Sequence, residues 1–181
     1  MRRVLTWGVA AAALALPSAA CSGGGPSGGC AGPHRDALDI RSTIHLLPGA
    51  PEPPYSTDPP TSGAHRVGDY PRGALTAPVA RPTQVALLEK GFVVVQYRPS
   101  LPGAAAALAP LASQTPYVTV APAPGLPNPV VATSWLHDLR CTGASPAAVR
   151  AISRFIAQRV GQGPEPTIPL SATRPAGSRG G

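Results

Sequence analysis

Two stretches of this chain combine residue types that could do chemistry. Pro59-Pro60-Thr61-Ser62-Gly63-Ala64-His65 is a stiff turn that ends on a histidine. Further on, Leu88-Glu89-Lys90-Gly91 places a carboxylate and an ammonium directly before Phe92-Val93-Val94-Val95, the most apolar stretch downstream of the leader. A rigid turn places a side chain reproducibly, as a ligand site requires. Glu89, at the entrance to a buried strand, is a carboxylate whose position solubility alone does not explain. Together His65 and Glu89 would supply a nitrogen and an oxygen to a divalent metal or a polar ligand. Thr61 and Ser62 add hydroxyls, and Gly63 permits backbone angles closed to other residues. His45, in the short apolar segment from Ile44 to Leu47, is a second candidate nitrogen.

Plainer readings exist for each residue. His65 would simply bond the backbone of its own loop, and Glu89 would pair with Lys90 or an arginine. The four histidines, His34, His45, His65 and His137, show neither zinc-finger spacing nor the H-E-x-x-H pattern. Ser62 stands near His65, but the glycine-x-serine-x-glycine elbow is missing, so a hydrolytic nucleophile is the weaker alternative. Trp135 reads as core, and His137-Asp138 as an orienting pair is discounted because adjacent residues often point apart.

The elements that must position these residues follow from pattern and punctuation. Pro51, Pro53 and Pro54 keep the chain extended, so residues 55–70 read as an ordered loop. Phe92 to Tyr97, bounded by Gly91 and Pro99, reads as a strand buried on both faces. Ala104 to Leu111 reads as a short helix with Leu101, Leu108 and Leu111 inward. Tyr117 to Val120 and Val130 to Trp135 read as two more strands. Ser145-Pro146 opens an amphipathic helix that turns Val149, Ile152, Phe155, Ile156 and Val160 to one side and stops at Gly161. The expected fold is a small α/β or α+β domain over residues 43–165, with a sheet of three to five strands and two packed helices.

The front end points to export. Met1-Arg2-Arg3 followed by an apolar run from Val4 to Leu16 and small residues up to Ala20 reads as a signal peptide over residues 1–20. Either signal peptidase cuts after Ala20, or Cys21 is lipidated as in a bacterial lipobox, although Ser18 occupies the place of the usual leucine. Residues 21–42, rich in glycine at the start, read as a flexible tether to a membrane. Residues 166–181 read as a disordered tail. With Cys21 lipidated, Cys30 and Cys141 remain, and an oxidising compartment would let them pair. The net charge is +7, carried by scattered arginines and one lysine. There is no basic stripe with interleaved aromatics, so the sequence does not suggest nucleic-acid binding.

The same residues resemble a bacterial family, domain of unknown function 3105, found among exported and membrane-attached actinobacterial proteins. Tyr55 and Pro59 to His65 match its Pro-Pro-Thr-Ser-Gly-x-His pattern, and His45-Leu46 matches a histidine–apolar pair before it. Leu88, Glu89, Gly91 and Tyr97 match its second motif. Trp135 with Cys141, Phe155-Ile156 and Gly163-Pro164-Glu165 match its closing features. Two histidines of the second motif are replaced by Ala86 and Lys90. If the family's histidines hold a metal, the resemblance implies that His45, His65 and Glu89 remain and that Ala86 and Lys90 weaken the site. The expectation is a membrane-tethered, non-enzymatic envelope lipoprotein with a degenerate His/Glu site. The alternative is a metal-dependent or hydrolytic enzyme using His65 and Glu89.

Overall fold

A computed structural model describes residues 29–68 and 70–167. The leader, Cys21 and nearly all of the expected tail lie outside them. In chain order the elements are β1 (Cys30–Arg35), β2 (Gly73–Ala74), α1 (Arg81–Glu89), β3 (Val93–Tyr97), α2 (Ala104–Leu108), a 3-10 turn (Ala109–Ser113), β4 (Val118–Pro122), β5 (Val130–Ser134), β6 (His137–Cys141) and α3 (Pro146–Arg159). Among the described residues no helix is long and apolar enough to cross a membrane.

The valine run forms the central strand. β3 is buried throughout and pairs with β4 in parallel and with β5 antiparallel, within a six-stranded sheet of order β1-β6-β5-β3-β4-β2. Its alternating side chains feed two cores. Val93 and Val95 join Val118, Val120, Val130, Ala132 and Leu139 beneath α2 and α3, where Leu108, Ile152, Phe155 and Ile156 complete the larger core. Val94 and Ala121 face the other way, onto Leu87, Leu88 and Phe92. The fold is therefore mixed α+β, as expected. Among the described residues it has six strands and three helices, where the sequence suggested three to five strands and two helices.

The extra elements have physical reasons. In α1 every residue from Pro82 to Glu89 is buried. A helix covered all round has no polar face, so the 3.6-residue periodicity that reveals helices is absent. β1 lies inside the stretch read as tether. It is an exposed edge strand apart from Cys30, paired antiparallel with β6 so that Cys30 stands opposite Cys141. That pair is a disulfide. The ordered domain therefore begins by Cys30. Pro110 also leaves its mark, since the helix expected to reach Leu111 gives way after Leu108 to the 3-10 turn. The Ser145 hydroxyl accepts a hydrogen bond from the Ala148 amide at 3.2 Å, capping α3 as the sequence indicates.

Candidate functional site

The Pro-Pro-Thr-Ser-Gly turn is built into the body of the protein, and every residue from Pro59 to His65 is buried. Gln84 of α1 donates from Nε2 to the Pro60 carbonyl at 3.1 Å and to Thr133 Oγ1 at 3.2 Å, tying the turn to the sheet. The Leu136 amide donates to the Thr61 carbonyl at 3.1 Å, and the Tyr55 hydroxyl to the Ala64 carbonyl at 2.8 Å. Burial pushes that phenol up to about 12. Gly63 has φ +127°, and a Cβ there would come 2.9 Å from the Tyr55 ring. Both conditions call for glycine.

Asp39 fastens this turn to the segment that carries His45. Its carboxylate accepts from the Arg41 amide and Nε, each at 2.9 Å, from Arg41 Nη2 at 2.6 Å and from Ser56 Oγ at 2.9 Å. Its own amide donates to Ser62 Oγ at 2.9 Å. The Arg41 hydrogen bonds, opposed by burial, hold its carboxyl well below the usual carboxylate range. Beyond Asp39 the chain runs back along the turn. The His65 amide donates to the Ile44 carbonyl at 3.1 Å and the Leu46 amide to the His65 carbonyl at 2.7 Å. This short parallel bridge sets the His45 and His65 rings edge to face, with centroids 4.8 Å apart.

The His65 ring is fully buried. Its Nδ1 lies 3.1 Å from the Gly63 carbonyl oxygen, which can only accept, so Nδ1 carries a proton. In the neutral ring Nε2 is then a bare lone pair. It faces Glu89 Oε2 at 3.0 Å, an ion-pair separation, but off the line of a hydrogen bond, so Nε2 has no hydrogen-bonding partner. Two electron-pair donors pressed together in a buried site call for a cation. The possibilities are a second proton on the ring or a metal ion.

Glu89 supports that reading from its own side. It is buried in the last turn of α1, where the helix dipole is negative and disfavours an anion. Gly91 (φ +82°) ends the helix, with the Phe92 amide bonded to the Leu87 carbonyl and the Gly91 amide to the Leu88 carbonyl, each at 3.0 Å. This is a Schellman cap, and Leu87 packs near Phe92 beside it. The cap fixes the direction in which Glu89 projects.

The structure thus brings His45, His65 and Glu89 together, with ligand atoms all within 4.8 Å of one another. Ligands of a tetrahedral zinc ion, each about 2.0–2.1 Å from it, stand about 3.3 Å apart. His65 and Glu89 already have that spacing, and the exposed His45 has room to close in. Lys90 Nζ lies 3.7 Å from Glu89 Oε2 and 2.6 Å from Glu165 Oε2. The ammonium therefore lies beside the Glu89 carboxylate, with Glu165 as its nearer partner. The Glu165 hydrogen bond raises the Lys90 ammonium and lowers the Glu165 carboxyl. Ala86 is fully buried in α1.

Other residues singled out from the sequence have structural partners. Thr61 Oγ1 donates to Asp36 Oδ2 at 2.9 Å, and Ser62 Oγ takes the Asp39 amide. Both hydroxyls thus hold the turn, and both nitrogens of His65 face groups other than Ser62. Trp135 packs against the smaller core. Asp138 is buried and paired with Arg140. Residues with no sequence signal of their own are Asp39 and Gln84, whose partners lie far away in sequence. Glu165 was legible only as part of a motif.

The family described as protein of unknown function DUF3105 matches residues 52–172, more than half of the chain. The chain belongs to this family. The match takes in His65, Glu89, Lys90 and Glu165, while His45 and Cys30 precede it. No curated protein and no solved structure matches the chain.

Proposed function

We propose that this member of the family is an exported, lipid-tethered envelope domain that binds a divalent transition-metal ion and does not turn over a substrate. The observation that carries the metal reading is the buried His65 Nε2, a lone pair with no hydrogen-bonding partner, held 3.0 Å from the Glu89 carboxylate. Two imidazoles and a carboxylate favour zinc, copper or nickel over magnesium or calcium, which prefer all-oxygen shells. His65 and Glu89 would hold the ion in the interior, with His45 closing the site from the surface.

Export is supported by the leader pattern of residues 1–20, by Cys21 at its end, and by a disulfide, a bond that persists in oxidising compartments. Acyl chains on Cys21 would then keep the domain at the extracytoplasmic face of the membrane. One observation favours the enzymatic alternative. Two histidines and a glutamate are a donor set that catalytic zinc uses with its fourth position open.

The test is calorimetric titration of the mature protein with zinc and copper, beside His65→Ala, together with the mass of the mature N-terminus. Saturable binding lost in His65→Ala and a lipid-modified Cys21 are the expected results. Parent protein that takes up neither ion would sink the metal reading, and an unmodified Cys21 would sink the tether. Ester or phosphoester turnover that vanishes in His65→Ala would move the assignment to an enzyme.

A further inference from the structure

Once α3 ends, the chain turns back and lies directly on the C-terminal end of α1. The Gly161 amide donates to the Gly91 carbonyl at 2.8 Å, and the Glu165 amide to the Glu89 carbonyl at 3.1 Å. The approach is so close that it excludes side chains. A Cβ on Gly91 would stand 2.9 Å from Gly161 Cα, and one on Gly163 would run into the Glu89 carbonyl. Glycine at these positions allows backbone to touch backbone. The result is that Glu165 is anchored by its main chain to Glu89, the residue whose carboxylate lies against His65.

The side chains at this junction show an imbalance. The carboxylates of Glu89 and Glu165 share a single ammonium, with Lys90 Nζ 2.6 Å from Glu165 and 3.7 Å from Glu89. Lys90 is well covered, its side chain 16% exposed. Against the Glu89 carboxylate lies the unpartnered Nε2 of His65. With neutral histidines the group is one positive charge short of balance, and the donors His45, His65 and Glu89 leave one position of a tetrahedral ion unfilled.

We propose that Glu165 is the fourth ligand of this metal site, held in reserve by Lys90 until an ion enters. The inference rests on the metal reading above and adds a ligand and a mechanism to it. A divalent ion carries twice the charge of the ammonium and takes the Glu165 carboxylate from it by a side-chain rotation, while the Glu165 amide stays on the Glu89 carbonyl. The completed set is two nitrogens and two oxygens, all from protein. A closed shell of this kind holds an ion without offering it to a substrate, which separates this site from an open catalytic one.

The experiment is a cobalt(II) titration of the mature protein followed by its visible absorption, which is intense for four-coordinate and weak for six-coordinate ions. The parent, Glu165→Gln, Lys90→Met and His65→Ala are compared, with thermal unfolding of each as a check on folding. The expected result is an intense band in the parent, lost in His65→Ala. Glu165→Gln should bind about tenfold or more weakly, with the band shifted in position as water takes the vacated place. Lys90→Met should bind more tightly than the parent. An unchanged affinity and spectrum in Glu165→Gln would overturn the fourth ligand and leave the three-residue site standing. Absence of cobalt uptake by both the parent and Lys90→Met would overturn the ligand and the metal reading together.

Discussion

His65 Nε2 and Glu89 Oε2 face each other at 3.0 Å, both buried, while His65 Nδ1 is committed to the Gly63 carbonyl. Each partner is held by a different device. The histidine hangs from a turn stapled on three sides, and the carboxylate projects from a capped helix end. The fold therefore holds the two groups face to face, and a cation between them answers both.

That arrangement makes Glu89→Gln informative. The amide of a glutamine is a neutral donor, and a small rotation of that side chain onto the line of the His65 lone pair would satisfy it without any ion. The metal-free variant should therefore be as stable as the parent or more so, whereas a structural ion pair would lose stability on the same change. Zinc binding should weaken by at least about a hundredfold, since a lost ligand costs more than a lost neighbour of a ligand. Thermal unfolding with and without zinc reads both effects. At free zinc about 100 times its Kd the parent should gain roughly 2.7 kcal/mol, and Glu89→Gln should gain far less.

Asp39 should make the domain acid-sensitive. Its folded carboxyl lies below the ordinary value of about 3.9, so the ionised form is favoured by folding. The sign follows directly: this contribution is present above about pH 4 and is lost as pH falls below it. Asp39→Asn should cost about 2 kcal/mol at neutral pH, the scale of a hydrogen bond to a charged group. It should also flatten the fall in stability between about pH 4 and pH 2. Denaturant unfolding of both proteins across that range checks the slope. An equal acid loss in both would assign the sensitivity to other carboxylates.

The disulfide should contribute more than its exposed strand suggests. Cys30 and Cys141 are 111 residues apart in sequence, and closing so long a loop stabilises by about 4–5 kcal/mol in the chain-entropy model. Reduction should lower the guanidinium midpoint accordingly. The antiparallel ladder between β1 and β6 would then be the remaining hold on that edge. A midpoint indifferent to reductant would mean that the ladder alone suffices.

The sequence by itself determined whatever is encoded by neighbours along the chain. The buried valine strand, the Ser145 cap and inward face of α3, and the rigid turn ending on His65 are all local patterns, and the structure contains each of them. The two cysteines could be paired because so few remained to choose from. Tertiary structure decided what depends on burial from several sides. α1 has no amphipathic signature because it is covered all round, and β1 reads as linker because its outward residues are exposed. It also decided the site. The sequence offered His45, His65 and Glu89 as candidates for one site, but only the Asp39 network, the parallel bridge between His45 and His65 and the cap behind Glu89 bring them within reach of one another, while the glycine contacts lay Glu165 on the Glu89 backbone. Such contacts join residues distant along the chain, and pairwise packing of that kind leaves no periodic trace in sequence.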